Sequence, residues 1–158
     1  MNSTKNKESG LLLLVLTAGI IAAMMLFFPA MTFPDAESAF TGYEIAFGTE
    51  FANLGGFVTG QVLGNILGAL AFLLPLVAGL LVLFVKKSAF ISAILFAAGA
   101  VLLLTMPEYT ITTVTILNTS TEVEIDWVLS YGLLIAASCS IIGVIATLYQ
   151  SVFPIQKA

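Results

Sequence analysis

The chain has 158 residues, of which 59% are apolar and only 9% charged, with a formal net charge of −4. A soluble domain carries about a quarter of its residues as Asp, Glu, Lys or Arg, so this composition excludes an ordinary soluble fold. With no His, no Arg and Cys139 as the sole cysteine, most metal-ligand, general-base and disulfide chemistry is excluded too.

Four stretches free of charge, residues 10–32, 58–85, 88–106 and 128–150, are each long enough to cross the ~30 Å hydrocarbon core as a helix of about 20 residues. They predict an integral membrane, mainly α protein: a four-transmembrane-helix bundle forming one domain over 1–158. Residues 33–57 and 107–127 are then the outer loops.

The first stretch follows a polar tail containing Lys5, Lys7 and Glu8. Its apolar run exceeds the 7–15 residues of a signal-peptide core, and no good cleavage site surrounds Pro29-Ala30, so a retained anchor is expected. Pro29 and Pro34 mark its outer end. Tyr43, Ile45 and Phe47 then alternate with Gly42, Glu44 and Ala46, the period of a half-buried strand, and Gly48 closes it.

The second helix is expected to start near Val58, with residues 51–57, including Gly55-Gly56, interfacial or an outer helical extension. Gly60, Gly64 and Gly68 fall at four-residue intervals, one face of a helix that allows close backbone approach, either to the chain's own helices or to a second copy. Gln61 and Asn65, beside Gly64, form a candidate polar pocket or hydrogen-bond across to Ser92 or Ser138. Pro75 removes a backbone donor within the helix and predicts a kink, as a hinge or as a static bend re-satisfied by neighbours.

The Lys86-Lys87 turn forces an antiparallel hairpin of the second and third helices, and Pro107 ends the third. Residues 109–117 are dense in β-branched side chains. Asn118-Thr119-Ser120 supplies a turn and also matches a glycosylation sequon. Beyond it Val123, Ile125 and Trp127 alternate with Glu122, Glu124 and Asp126, so a hairpin is expected. With residues 43–47 it would make a small extracellular antiparallel β-sheet of about three strands, Trp127 settling near the headgroups.

The charges are segregated. Every lysine (5, 7, 86, 87 and 157) lies at the termini or in the second connection, whereas Asp35, Glu37, Glu44, Glu50, Glu108, Glu122, Glu124 and Asp126 lie in the other two. Positive residues in short loops stay cytoplasmic, which predicts a multi-pass cell-membrane protein with both termini inside. An outer face of eight carboxylates without a base excludes nucleic acid as a partner. Glu122, Glu124 and Asp126 are expected to gather cations diffusely, without the convergent oxygens of a metal site; no cofactor is expected.

No ionisable residue lies within a span, and Cys139 has no histidine to activate it, so the reading is not an enzyme. What remains is a structural, accessory or contact protein working through its outer sheet and helix faces, with the lipid bilayer and a protein partner or second copy. The alternative is an oligomeric cation-conducting channel with an acidic outer mouth.

The order of span, long outer loop, span, short inner turn, span, outer hairpin and span resembles the claudin-type topology, which implies four helices topped by a small extracellular sheet. The claudin first-loop signature, a Trp, a Gly-Leu-Trp and two cysteines, is absent: the sole Trp is Trp127. A role in paracellular barriers is therefore not implied. The segment Phe40-Thr-Gly-Tyr-Glu-Ile-Ala-Phe-Gly48, in an Arg-free chain, is also similar to small membrane proteins of low-GC bacteria.

Overall fold

Long runs of Leu, Ile, Ala and Phe without charge satisfy their backbone only internally, and helices dominate accordingly. The computed structural model describes residues 2–34, 39–85, 88–117 and 119–152, with side chains from residue 9 onward. Asp35, Glu37, Lys86, Lys87, Asn118 and Lys157 lie outside the described residues, as do the side chains of Lys5, Lys7 and Glu8.

In chain order, helix α1 (Asn2–Met24) ends in a 3₁₀ turn, Met25–Phe27. Strands β1 (Pro29–Thr32) and β2 (Ala39–Thr41) follow, then the short helix α2 (Gly42–Phe47) and strands β3 (Thr49–Leu54) and β4 (Val58–Val62). Helices α3 (Ile66–Phe84) and α4 (Ala89–Leu104) form a hairpin, and α5 (Met106–Tyr109) is a single turn. Strands β5 (Thr112–Ile116), β6 (Thr119–Val123) and β7 (Val128–Leu129) precede the last helix, α6 (Tyr131–Val152).

Among the described residues, three helical stretches are long and apolar enough to cross a membrane: Ser9–Phe27, Ile66–Phe84 and Tyr131–Val152. The fourth expected span, α4, has 16 residues, about 24 Å at 1.5 Å per residue. Helix α1 packs on α3 and α6, and α4 packs on the same two. Between them, Phe72, Phe96, Leu103 and Leu133 are fully buried. The α3–α4 turn is closed by Ser88, whose Oγ donates to the carbonyls of Val85 (2.8 Å) and Leu81 (2.9 Å).

Small residues set the helix approach. A Cβ at Gly19 would lie 2.5 Å from the Pro75 carbonyl oxygen, and one at Gly99 would lie 2.8 Å from the Pro75 ring. Pro75, buried inside α3, is thus flanked by glycines of α1 and α4. The position at Gly99 also faces the Ala71 carbonyl at 3.4 Å, the acceptor that the missing Pro75 N–H leaves open.

Two expectations fail here. The segment expected as a strand around Tyr43–Phe47 is helix α2. Thr41 and Glu44 form a capping box, Thr41 Oγ1 accepting from Glu44 N (3.2 Å) and Thr41 N donating to the Glu44 carboxylate (2.8 Å). That reciprocal pair nucleates a helix, and it outweighs a two-residue alternation only three apolar positions long. The second long helix starts at Ile66, not near Val58, because residues 49–62 form a hairpin. Gly55 (φ 62°) and Gly56 (φ 79°) supply the left-handed turn that lets the chain reverse.

The hairpin expected within residues 109–127 is present as β5–β6, but Thr119 and Ser120, expected in the turn, are strand residues of β6 paired with Ile116 and Thr115. The alternation of Val123, Ile125 and Trp127 is not one strand, since β6 ends at Val123. There are two sheets, of order β2-β1-β7 and β3-β4-β5-β6, all antiparallel.

Candidate contact surface of the head

All seven strands, with α2 and α5, lie between the Met25–Phe27 end of α1 and Ile66 or between Leu104 and Tyr131. Hence they gather at one end of the helices as a head. Met31 in β1 is fully buried there, and Gly132 at the start of α6 meets the Pro29 carbonyl, 2.5 Å from where a Cβ would stand.

The register of the four-stranded sheet separates its faces. Paired residues in an antiparallel sheet share a face. One face carries the rows Thr49, Val62, Thr112, Val123; Ala52, Gly60, Val114, Thr121; and Leu54, Val58, Ile116, Thr119. The other carries Glu50, Gln61, Thr113, Glu122 and Asn53, Thr59, Thr115, Ser120. The sheet is therefore apolar on one side and polar, with two carboxylates, on the other.

The apolar face is covered only near the helices. Val62 and Thr112 are buried. Phe51, the extra residue at the β3 irregularity, lies over Gly60, where a Cβ would stand 2.6 Å from its ring. Phe51 also meets Phe33 (ring centroids 5.3 Å) and Phe40 (6.0 Å), and Trp127 stacks on Phe33 at 4.9 Å. These four rings join the two sheets. At the far end of the sheet Leu54 and Ile116 of the last row are exposed, as are the neighbouring turn residues Phe57 (67% exposed) and Leu117 (70%). They are one unit, since Phe57 N donates to Leu54 O (3.1 Å) and Leu117 N to Phe57 O (3.0 Å).

Leu117 adopts φ 48°, a left-handed conformation that costs an L-residue about 1–2 kcal/mol. The pairing of Ile116 with Thr119 leaves a two-residue hairpin turn, which calls for this positive φ.

Gly60 lies in β4, Gly64 in the connection and only Gly68 in α3, so the three do not share a helix face. Each still marks a close approach: Gly60 to Phe51, Gly64 to the Phe47 carbonyl (2.7 Å from a Cβ) and Gly68 to Ala46 (3.2 Å). Gln61 and Asn65 do not make a polar pocket. Gln61 is exposed on the sheet's polar face. Asn65 is the N-cap of α3, its Oδ1 accepting from Leu67 N (2.9 Å) and its Nδ2 donating to the Tyr109 carbonyl (3.0 Å). Ser138 Oγ donates instead to the Leu134 carbonyl (2.8 Å).

Glu122, Glu124 and Asp126 are exposed, and no group of three metal-ligating side chains occurs among the described residues. Burial pushes the Tyr109 phenol up to about 12, and its hydroxyl donates to the Leu102 carbonyl at 2.8 Å.

Sequence reasoning missed Leu54, Phe57, Ile116 and Leu117 as a group, because residues 51–65 read as the start of a helix. The Gly55-Gly56 pair was the signal for a turn there. Comparison of the chain with protein-family models, with curated proteins and with solved structures finds no match to any of them.

Proposed function

We propose that this is a four-span membrane protein with both termini in the cytoplasm and its head outside, a non-enzymatic contact or accessory protein that holds a partner through the far end of the four-stranded sheet. Lysines confined to the opposite connections support the orientation. Helix α4, 16 residues long, reads as the fourth span because it packs on α3 and α6 as α1 does.

The observation that carries the reading is the exposure of Leu54, Phe57, Ile116 and Leu117 at the far end of the four-stranded sheet, on a head without a basic residue. Large exposed apolar patches mark interaction sites. The carboxylates set the partner's sign: their field reaches about 8 Å at physiological salt, enough to orient a Lys- or Arg-bearing surface arriving at these apolar residues. The helix interior, filled by Phe72, Phe96, Leu103 and Leu133, favours contact over conduction through a single copy.

Incorporation of a photo-crosslinking phenylalanine analogue at Phe57 in intact cells tests this. The expected product is a protein adduct whose cross-linked peptide, identified by mass spectrometry, carries Lys or Arg beside apolar residues. That product should disappear in the Ile116→Glu background. Adducts to lipid alone, or none, would contradict the reading.

A further inference from the structure

We propose that helix α2 is an outer-leaflet anchor, with Tyr43, Phe47 and Phe27 lying in lipid at the boundary of headgroups and acyl chains; this rests on α1 and α3 crossing the membrane. The depth of α2 follows from what it touches. Its buried face meets the outer turns of α3: Gly42 lies against the Phe72 ring, 2.7 Å from where a Cβ would be, and Ala46 against Gly68 at 3.2 Å. Phe72 is six residues beyond Ile66, the first residue of α3, or about 9 Å along the helix. Asn65 N donates to the Ala46 carbonyl (3.0 Å) and Gly42 N to the Phe28 carbonyl (3.2 Å), tying α2 to the ends of both apolar stretches.

The opposite face is aromatic and bare. Tyr43 is 49% and Phe47 60% exposed, four residues apart on one side of α2. Their rings lie 4.7 Å apart, and Tyr43 stacks on Phe27 at 6.2 Å. Phe27 is the last residue of the first apolar stretch. Three adjacent rings at the outer end of a span are what the membrane interface holds in its aromatic belts.

The polar part of α2 is prepared for that position. The Glu44 carboxylate is turned back to accept from Thr41 N and Thr41 Oγ1, both at 2.8 Å. Together with Glu44 N donating to Thr41 Oγ1 and Gly42 N to the Phe28 carbonyl, this pairs Thr41 N, Gly42 N and Glu44 N within the protein, as backbone near hydrocarbon requires. The occupant is lipid, and the element expected as a third outer strand becomes a fifth membrane-embedded element confined to one leaflet.

The test is nitroxide accessibility in liposomes, on a Cys139→Ala background, with spin labels at Phe47→Cys, at Tyr43→Cys in parallel, at Ile145→Cys on the exposed side of α6 and at Ser120→Cys in the head. Power saturation with oxygen and with a water-soluble nickel chelate reads lipid against water. The expected result is oxygen-dominated relaxation at Phe47 and Tyr43, as at Ile145, and nickel-dominated relaxation at Ser120. Nickel access at Phe47 and Tyr43, with Ile145 still in lipid, would overturn the proposal and leave the membrane reading standing. Exclusion of both reagents with dipolar broadening would mean a second copy covers the face, and would also overturn it. Nickel access at Ile145 would overturn the membrane reading and the proposal together.

Discussion

In the helices the smallest side chains mark the contacts, whereas in the head the largest do. Gly19 and Gly99 receive Pro75, and a Cβ at Gly143 would stand 2.5 Å from the Phe96 ring. In the head, Phe33, Phe40, Phe51 and Trp127 meet one another at centroid distances of 4.9–6.0 Å. On the proposed membrane arrangement the difference reflects the solvent. In lipid, burying apolar surface yields nothing against tails just as apolar, so helices associate by close approach. In water, ring burial stabilises outright. The two ends of the molecule should therefore fail to different substitutions.

The largest effect is expected from Gly19→Val. Its added atoms meet the Pro75 backbone carbonyl, which cannot rotate away, so stability in detergent should fall by about 3 kcal/mol, the upper part of the overpacking range. Gly10→Ala is the matched control, since nothing lies within 4 Å of its added carbon. Equal effects would break the distinction drawn for the helices.

Trp127→Phe and Trp127→Ala probe the other end. The alanine variant should destabilise the head by about 2 kcal/mol, below the 3–5 typical of a fully buried large aromatic because Trp127 is only partly buried. Because Trp127 is the sole tryptophan, its emission in the parent reports directly on the cluster. The Phe33→Ala variant should red-shift that emission while leaving the far-ultraviolet helical signal unchanged.

Tyr109 lies at the junction of the two regions, donating back to Leu102 of α4. Burial raises its folded pKa from 10.0 to about 12. The neutral phenol is the form the fold favours, so its contribution is whole below pH 10 and is lost as pH climbs through about 12. Melting temperature measured from pH 9 to 12 should fall across that window, and Tyr109→Phe should flatten the fall.

Leu117→Gly should stabilise the β5–β6 hairpin by about 1 kcal/mol through relief of the left-handed strain, while removing a side chain from the far end of the sheet. More stability with less cross-linking at Phe57 would separate contact from folding. Smallest of all, Glu122→Gln should leave the melting temperature unchanged, with or without millimolar calcium. A saturable calcium shift lost in that variant would instead establish a cation site.

How much of this was legible in the sequence differs between the same two regions. The long helices were visible because absence of charge over some twenty residues is a signal that few structures other than a span produce. The head was harder. The hairpin at Thr112–Val123 showed through its β-branched side chains. Residues 51–65 did not, because Leu, Gly and Val without a charge look the same in a membrane helix and in a strand whose partner supplies every backbone bond. Gly42–Phe47 misled for a different reason: six residues fit both a period of two and a short capped helix, and the Thr41–Glu44 box decided it. The glycines at 60, 64 and 68 were expected on one helix face, whereas only Gly68 lies in α3 and the three approach Phe51, Phe47 and Ala46. Leu117 was not legible, since its φ is imposed by the register of Ile116 with Thr119.

The claim on which the rest depends is that the head stands outside and the opposite end of the helices inside. Single cysteines at Thr119, exposed in β6, and at Ser9, exposed near the start of α1, decide it on a Cys139→Ala background treated with a membrane-impermeant maleimide. In intact cells Thr119→Cys should be labelled and Ser9→Cys should not, with both reacting once the cells are permeabilised. Labelling of Ser9→Cys from outside, alone or equally with Thr119→Cys, would contradict it.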